Sequence, residues 1–168
     1  MVTRVVVIFP RFEQIDLIEQ LRGIYDPLAS SIEPHITLVF PFESDIAPQH
    51  IRYHIEQSIH SITPFPIVLR GVTGHEGEYL FLNVKHGNDQ LIELHDRLYT
   101  GLLASHLNDQ HTFVPHLTVG RLPDNSYLME ALNTARTLKT TFETQVKALS
   151  VYAIQSDGTR SIEFEVIL

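Results

Sequence analysis

The stretch PHITLVF at residues 34–40 returns as PHLTVGR at residues 115–121. Each copy runs Pro-His, an apolar residue, Thr and a second apolar residue, and His35 and His116 stand 81 positions apart. Shuffling a chain of this composition yields roughly 0.01 copies of the pattern, so two copies half a chain apart point to duplication rather than coincidence.

The surroundings of the two stretches repeat as well. Apolar periodicity predicts a strand at 2–9, a helix near 12–22 with Phe12, Ile15, Ile18 and Leu21 on one stripe, and the first motif strand at 35–40. A helix near 48–60 follows, with Pro48 in its first turn and Ile51, Ile55 and Ile59 on one face, and then a strand at 66–73. The second cycle has a strand at 79–85, a helix at 89–106, the motif strand at 113–121, a helix at 126–138 and a strand at 143–155. SIEFEVIL at 161–168 adds a last strand. Both halves therefore read β-α-β-α-β. The expectation is one domain over 1–168, made of two pseudo-symmetric lobes with approximate repeats 2–73 and 79–155 that meet at a cleft.

A strand sends residues i and i+2 to the same face, so His35 points with Thr37 and His116 with Thr118, while Ile36, Leu38, Leu117 and Val119 go to the other side. If the lobes face each other, two imidazoles and two hydroxyls converge. In-line cleavage of a phosphodiester needs a base for the attacking oxygen and an acid for the leaving oxygen. Imidazole serves either role near neutrality, and the threonine hydroxyls can donate to the non-bridging oxygens as charge builds there. The scheme calls for no metal and no cofactor.

Composition narrows the substrate. The chain has 168 residues, no cysteine, and a net charge of −8. No disulfide, thiolate metal site or cysteine nucleophile is available, and a cytoplasmic setting is expected. The opening apolar run is too short for a secretory signal and no segment approaches a membrane span, so no membrane partner is expected. An acidic surface repels a long polyanion, so a nucleic-acid partner is expected to be small or to offer only its end. A monomer is expected.

Two His-apolar-Thr-apolar motifs half a chain apart resemble the 2H phosphoesterase superfamily, which includes 2'-5' RNA ligases and RNA 2',3'-cyclic phosphodiesterases. YDPLASSIEPHITLVFPF at 25–42 is similar to the 2'-5' RNA ligase group, and HLTVGR at 116–121 to that family's second motif. The resemblance implies an α+β fold, bilobed, with mostly antiparallel sheets lining a central cleft and helices outside. It implies metal-independent hydrolysis of a 2',3'-cyclic nucleotide phosphate or a 2'-5' bond, with possible ligase activity, and it makes His35, Thr37, His116 and Thr118 the catalytic set. It also implies that Phe40 and Arg121 hold the nucleotide. Strict alternation puts these two on the face opposite the histidines, so they reach the cleft only if the strand ends or bulges there, as at Gly120.

Other readings set the contrast. The histidines could be half-buried sheet residues capped by their threonines, the pocket could bind a phosphorylated nucleotide without cleaving it, or His35 and His116 could ligate a metal, for which no carboxylate partner is evident. His50 and His54 read as a solvated helix face. His60, His75, His86, His95, His106 and His111 receive no role, and Asp26 and Pro27 shape the turn before the first motif strand.

Overall fold

The computed structural model describes residues 1–168. Eight strands run β1 (Val2–Ile8), β2 (Ile36–Ser44), β3 (Phe65–His75), β4 (Tyr79–His86), β5 (His116–Arg121), β6 (Phe142–Val146), β7 (Ala148–Ile154) and β8 (Arg160–Ile167). The α-helices are α1 (Ile15–Tyr25), α2 (Pro48–Ser58), α3 (Asn88–Leu98) and α4 (Leu128–Ala135). The fold is α+β, with two four-stranded antiparallel sheets ordered β2-β1-β7-β8 and β5-β4-β3-β6.

Each motif strand lies at the outer edge of its sheet. The third strand of each sheet comes from the other half of the sequence: β3 pairs with β4 and β6, and β7 pairs with β1 and β8. The expected single strand at 143–155 is two strands that break at Lys147 and belong to different sheets. Apolar alternation runs on through that crossing because both pieces bury a face. The expected helix at 89–106 also divides. α3 stops at Leu98, and a 3-10 turn over Gly101–His106 follows a reversal in which Gly101 has φ of 46°. That left-handed backbone suits glycine and breaks the helical path.

Helices cover the outer faces, and they too are exchanged: α1 packs on β5 and α3 packs on β2. One apolar core runs through both sheets, with Val6, Ile8, Ile36, Leu38, Leu80, Leu82, Leu117 and Val119 facing it. The opposite face of the first sheet carries a smaller apolar group, Val5, Val7 and Tyr152, flanked by Phe9, Ile32 and Ile154. This is the face shared by Thr37, which pairs with Val7. No helix is long and apolar enough to cross a membrane.

Candidate active site

Each motif histidine is fixed by the same local device. His35 Nδ1 lies 2.8 Å from the Glu33 carbonyl, and His116 Nδ1 lies 2.6 Å from the Val114 carbonyl, in both cases two residues upstream. A carbonyl only accepts, so Nδ1 carries the hydrogen and donates it. The neutral ring then presents its lone pair at Nε2. Both rings are half-buried, and each Nε2 reaches solvent without a protein partner. Burial holds the His35 pKa below the ordinary imidazole value; the Glu33 carbonyl opposes it, and the Arg22 and Arg160 charges add to it. Burial likewise lowers His116, the Val114 carbonyl opposes, and the charges of His75 and His35 lower it further. The charge of His35 thus reaches the His116 ring.

Thr37 and Thr118 occupy matching half-buried positions, paired across their sheets with Val7 and Phe81. One residue further on, both strands bulge. In the first sheet Val6 pairs with Val39 but Val7 with Thr37, so Leu38 is the extra residue. In the second, Leu80 pairs with Gly120 but Phe81 with Thr118, so Val119 is the extra residue. Leu38 and Val39 are both buried, as are Val119 and Gly120, and the next residues, Phe40 and Arg121, are exposed on the side of the threonines. A bulge resets the alternation by one position, which is why both reach the side that strict alternation denies them.

The bulges are held by the helices packed on them. His95, buried on α3 and stacked flat on Phe113 with centroids 3.9 Å apart, donates Nδ1–H to the Leu38 carbonyl at 2.8 Å. The Phe40 N–H donates to the Tyr99 hydroxyl at 2.9 Å. On the other side, a Cβ at position 120 would stand 2.8 Å from the Tyr25 Cβ at the end of α1, so only glycine allows that approach. His95→Phe is expected to keep the stacking and orphan the Leu38 carbonyl, at a cost of about 1–3 kcal/mol. The thermal midpoint should fall by several degrees, and an unchanged midpoint in a denaturation scan would show that the carbonyl finds another donor.

His116, Thr118 and Phe40 line one cavity of about 620 Å³, together with His75, Tyr79, Phe81, Asn83, His106 and His111. His116 stacks on Phe81 with centroids 3.6 Å apart, and His75 stacks on the same ring at 4.8 Å. His35 and Thr37 are not in that lining. The His35 ring sits edge-on to Phe9 and Tyr152, at 6.0 and 6.2 Å. Arg121 lies over the Tyr79 ring, 5.6 Å from its centroid, and opens onto a second cavity of about 570 Å³ beside Asp26, Pro27 and Glu78.

The turn before His35 is organised by Asp26 and the buried Arg22. Asp26 accepts from Leu28 N–H and from Arg22 Nε, and Arg22 also donates to the Ile32 carbonyl. His50 is exposed, as the sequence suggests, but His54 is not part of a solvated face. Its Nε2 bonds the Leu98 carbonyl and ties α2 to α3. His95, His75, His106 and His111 also have places at the site or behind it, which no sequence signal marked because none repeats or follows a spacing rule. No three His, Asp or Glu side chains come together as a metal-ligand group.

Two antiparallel sheets with exchanged third strands and a His-x-Thr edge strand on each define the class. The E. coli LigT structure in apo form superposes with a TM-score of 0.64 at 15% identity, over 99% of this chain and 97% of that one. The complex of LigT with 3'-AMP gives a TM-score of 0.62 at 14% identity, over 99% and 98%. The sequence model of the 2'-5' RNA ligase superfamily matches residues 9–158, and the chain belongs to this family of 2H phosphoesterases. A Geobacillus kaustophilus protein named "Putative phosphoesterase" is 33% identical over 73% of this chain and 71% of its own length. A Bacillus pumilus relative of the same name is 26% identical over 97% and 95%.

Proposed function

We propose that the protein is a metal-independent phosphodiesterase that hydrolyses a 2',3'-cyclic nucleotide phosphate, or a related cyclic phosphate or 2'-5' linkage, by acid-base catalysis between His35 and His116. The observation that carries this reading is the matched anchoring of the two rings by Nδ1–H bonds to carbonyls two residues upstream, which leaves two Nε2 atoms free on facing edge strands. A site that only bound phosphate would gain more from fixed cations or helix N-termini than from two imidazoles held with lowered pKa values.

In the proposed reaction the neutral imidazole takes a proton from water as its oxygen attacks phosphorus, and the imidazolium gives a proton to the leaving ribose oxygen. One P–O bond forms and one breaks. Thr37 and Thr118 donate to the non-bridging oxygens, whose charge rises in the transition state. Phe40 and Arg121 lie five residues beyond the two histidines, where an aromatic face and a guanidinium suit a base and a phosphate. That E. coli LigT has been crystallised with 3'-AMP and with NADP+ supports a nucleotide of this size as the ligand class. The expected setting is the cytoplasm and the expected unit a monomer.

Assay of a panel of nucleoside 2',3'-cyclic phosphates and 2'-5' linked dinucleotides tests the reading directly. Activity is expected to survive EDTA unchanged. Loss on chelation, restored by zinc or manganese, would replace the two-histidine scheme with a metal-dependent one.

A further inference from the structure

The cavity of about 620 Å³ lies to one side of the two motif strands, lined by His116, Thr118 and Phe40 but not by His35 or Thr37. Its walls are rich in aromatic rings, Tyr79, Phe81, Tyr99 and Phe113 among them, and Glu76 is the one lining residue with a fixed charge. A space without Lys or Arg suits a flat, uncharged group better than a further phosphate. Stacking of a nucleobase on an aromatic side chain contributes about 1–3 kcal/mol, so the walls match the base of a nucleotide whose phosphate lies at His116.

His95 belongs to the same wall and is only 6% exposed. Its Nδ1–H is committed to the Leu38 carbonyl at 2.8 Å, which fixes the tautomer and makes Nε2 an acceptor. No protein donor reaches Nε2, and it is not sealed off either, because the one side-chain nitrogen or oxygen buried without a partner is Arg160 Nε. The lone pair therefore opens into the cavity. Phe113, flat against the ring at 3.9 Å, and Tyr99, edge-on at 4.9 Å, hold it in that direction. Tyr99 stands four residues further along, where α3 ends, and is also buried. Its hydroxyl accepts from the Phe40 N–H at 2.9 Å, and its own hydrogen has no protein acceptor. Burial raises the Tyr99 pKa above the ordinary tyrosine value, against the opposing Phe40 bond, so that hydrogen stays in place as a donor. Neighbouring side chains thus offer the cavity one free acceptor and one free donor.

We infer that His95 reads the base of the bound nucleotide, its Nε2 accepting from an exocyclic amino group while the Tyr99 hydroxyl donates to the ring nitrogen beside that group. Adenine and cytosine carry this pair of groups and are the preferred bases. Uracil and hypoxanthine are disfavoured, because their carbonyl oxygens project beyond the ring N–H and meet the recessed His95 lone pair first, acceptor against acceptor. The inference rests on the reading of the cleft as a nucleotide phosphodiesterase site and adds its base preference.

Measuring kcat/KM on two pairs of 2',3'-cyclic phosphates, adenosine against purine riboside and cytidine against uridine, tests this in the wild type, His95→Asn and His95→Gln. Purine riboside differs from adenosine by the amino group alone. Asn keeps an N–H near the Nδ1 position for the Leu38 carbonyl and lacks Nε2, whereas Gln places its amide near Nε2. In at least one pair the wild type should favour the amino-bearing member about tenfold, the effect of leaving a buried acceptor unpaired. That ratio should approach one in His95→Asn and recover in part in His95→Gln; since each ratio is taken within one variant, a change in stability cancels. Equal values in both pairs for the wild type, or an advantage that survives His95→Asn, would overturn the inference. Calorimetric titration of the same pairs as 3'-monophosphates separates it from the hydrolase reading. A His95-dependent advantage in binding without turnover leaves base recognition standing and removes the hydrolase, turnover without the advantage does the reverse, and neither turnover nor binding overturns both.

Discussion

His35→Ala and His116→Ala are each expected to lower kcat by about a hundredfold to ten-thousandfold, the range that a positioned proton-transfer group contributes. The double substitution should cost little more than the worse single one, because an acid without its base partner has no complete path to assist. Stability should change far less. His116 gives up a stacking contact with Phe81, worth about 0.5–1.5 kcal/mol, and His35 gives up two edge contacts with Phe9 and Tyr152. Thr37→Val and Thr118→Val keep the side-chain shape and remove one donor each, so their loss of kcat should be smaller. Turnover on a cyclic-phosphate substrate, measured beside a thermal scan, separates the cases: full activity in either histidine variant would sink the two-histidine mechanism.

The core of this site was legible because duplication turns a weak local signal into a strong one. A single His-x-Thr on a strand is unremarkable, whereas the same pattern at 35–37 and 116–118 in matching strands has no cheap alternative explanation. Alternation then placed the threonines with the histidines and the aliphatic residues in the core, as found. Alternation misplaces Phe40 and Arg121, because a bulge is a property of the pairing between strands and leaves no mark on the period of one of them. Gly120 hints at it, yet its counterpart in the other motif is Val39, so glycine is not what makes the bulge. The exchange of β3 and β7 between the sheets was hidden for the same reason. Hydrophobic pattern says that a strand is buried and not which neighbours bury it. His95, Tyr99 and Arg160 became visible only when elements distant in sequence were brought together.

The pH dependence follows from the two rings being coupled and half-buried. Burial costs the charged imidazolium its hydration, so both pKa values lie below the ordinary 6.5, and the charge of one ring lowers the other again. In the free enzyme only the form with one proton on the pair has both a base and an acid. The profile of kcat/KM is therefore expected to be a bell whose centre lies on the acid side of pH 6.5, and its two apparent pKa values belong to the pair rather than to His35 or His116 alone. Beyond each limb the rate should fall tenfold per pH unit, so two units above the upper pKa about 1% of the maximum remains. Bound phosphate reverses the balance, because an anion beside the rings favours the imidazolium. The bell for kcat should therefore lie at higher pH than the bell for kcat/KM. Stability moves with the same groups. In the unfolded chain these histidines take up protons near pH 6.5, while in the folded chain they resist until the pH is lower. Stability should thus fall as the pH drops through 6.5 and level off once the folded rings are charged. A kcat/KM profile that stays flat toward high pH would show that only one histidine transfers a proton, whereas a bell centred above 6.5 would mean that the cleft favours the charged rings despite their burial.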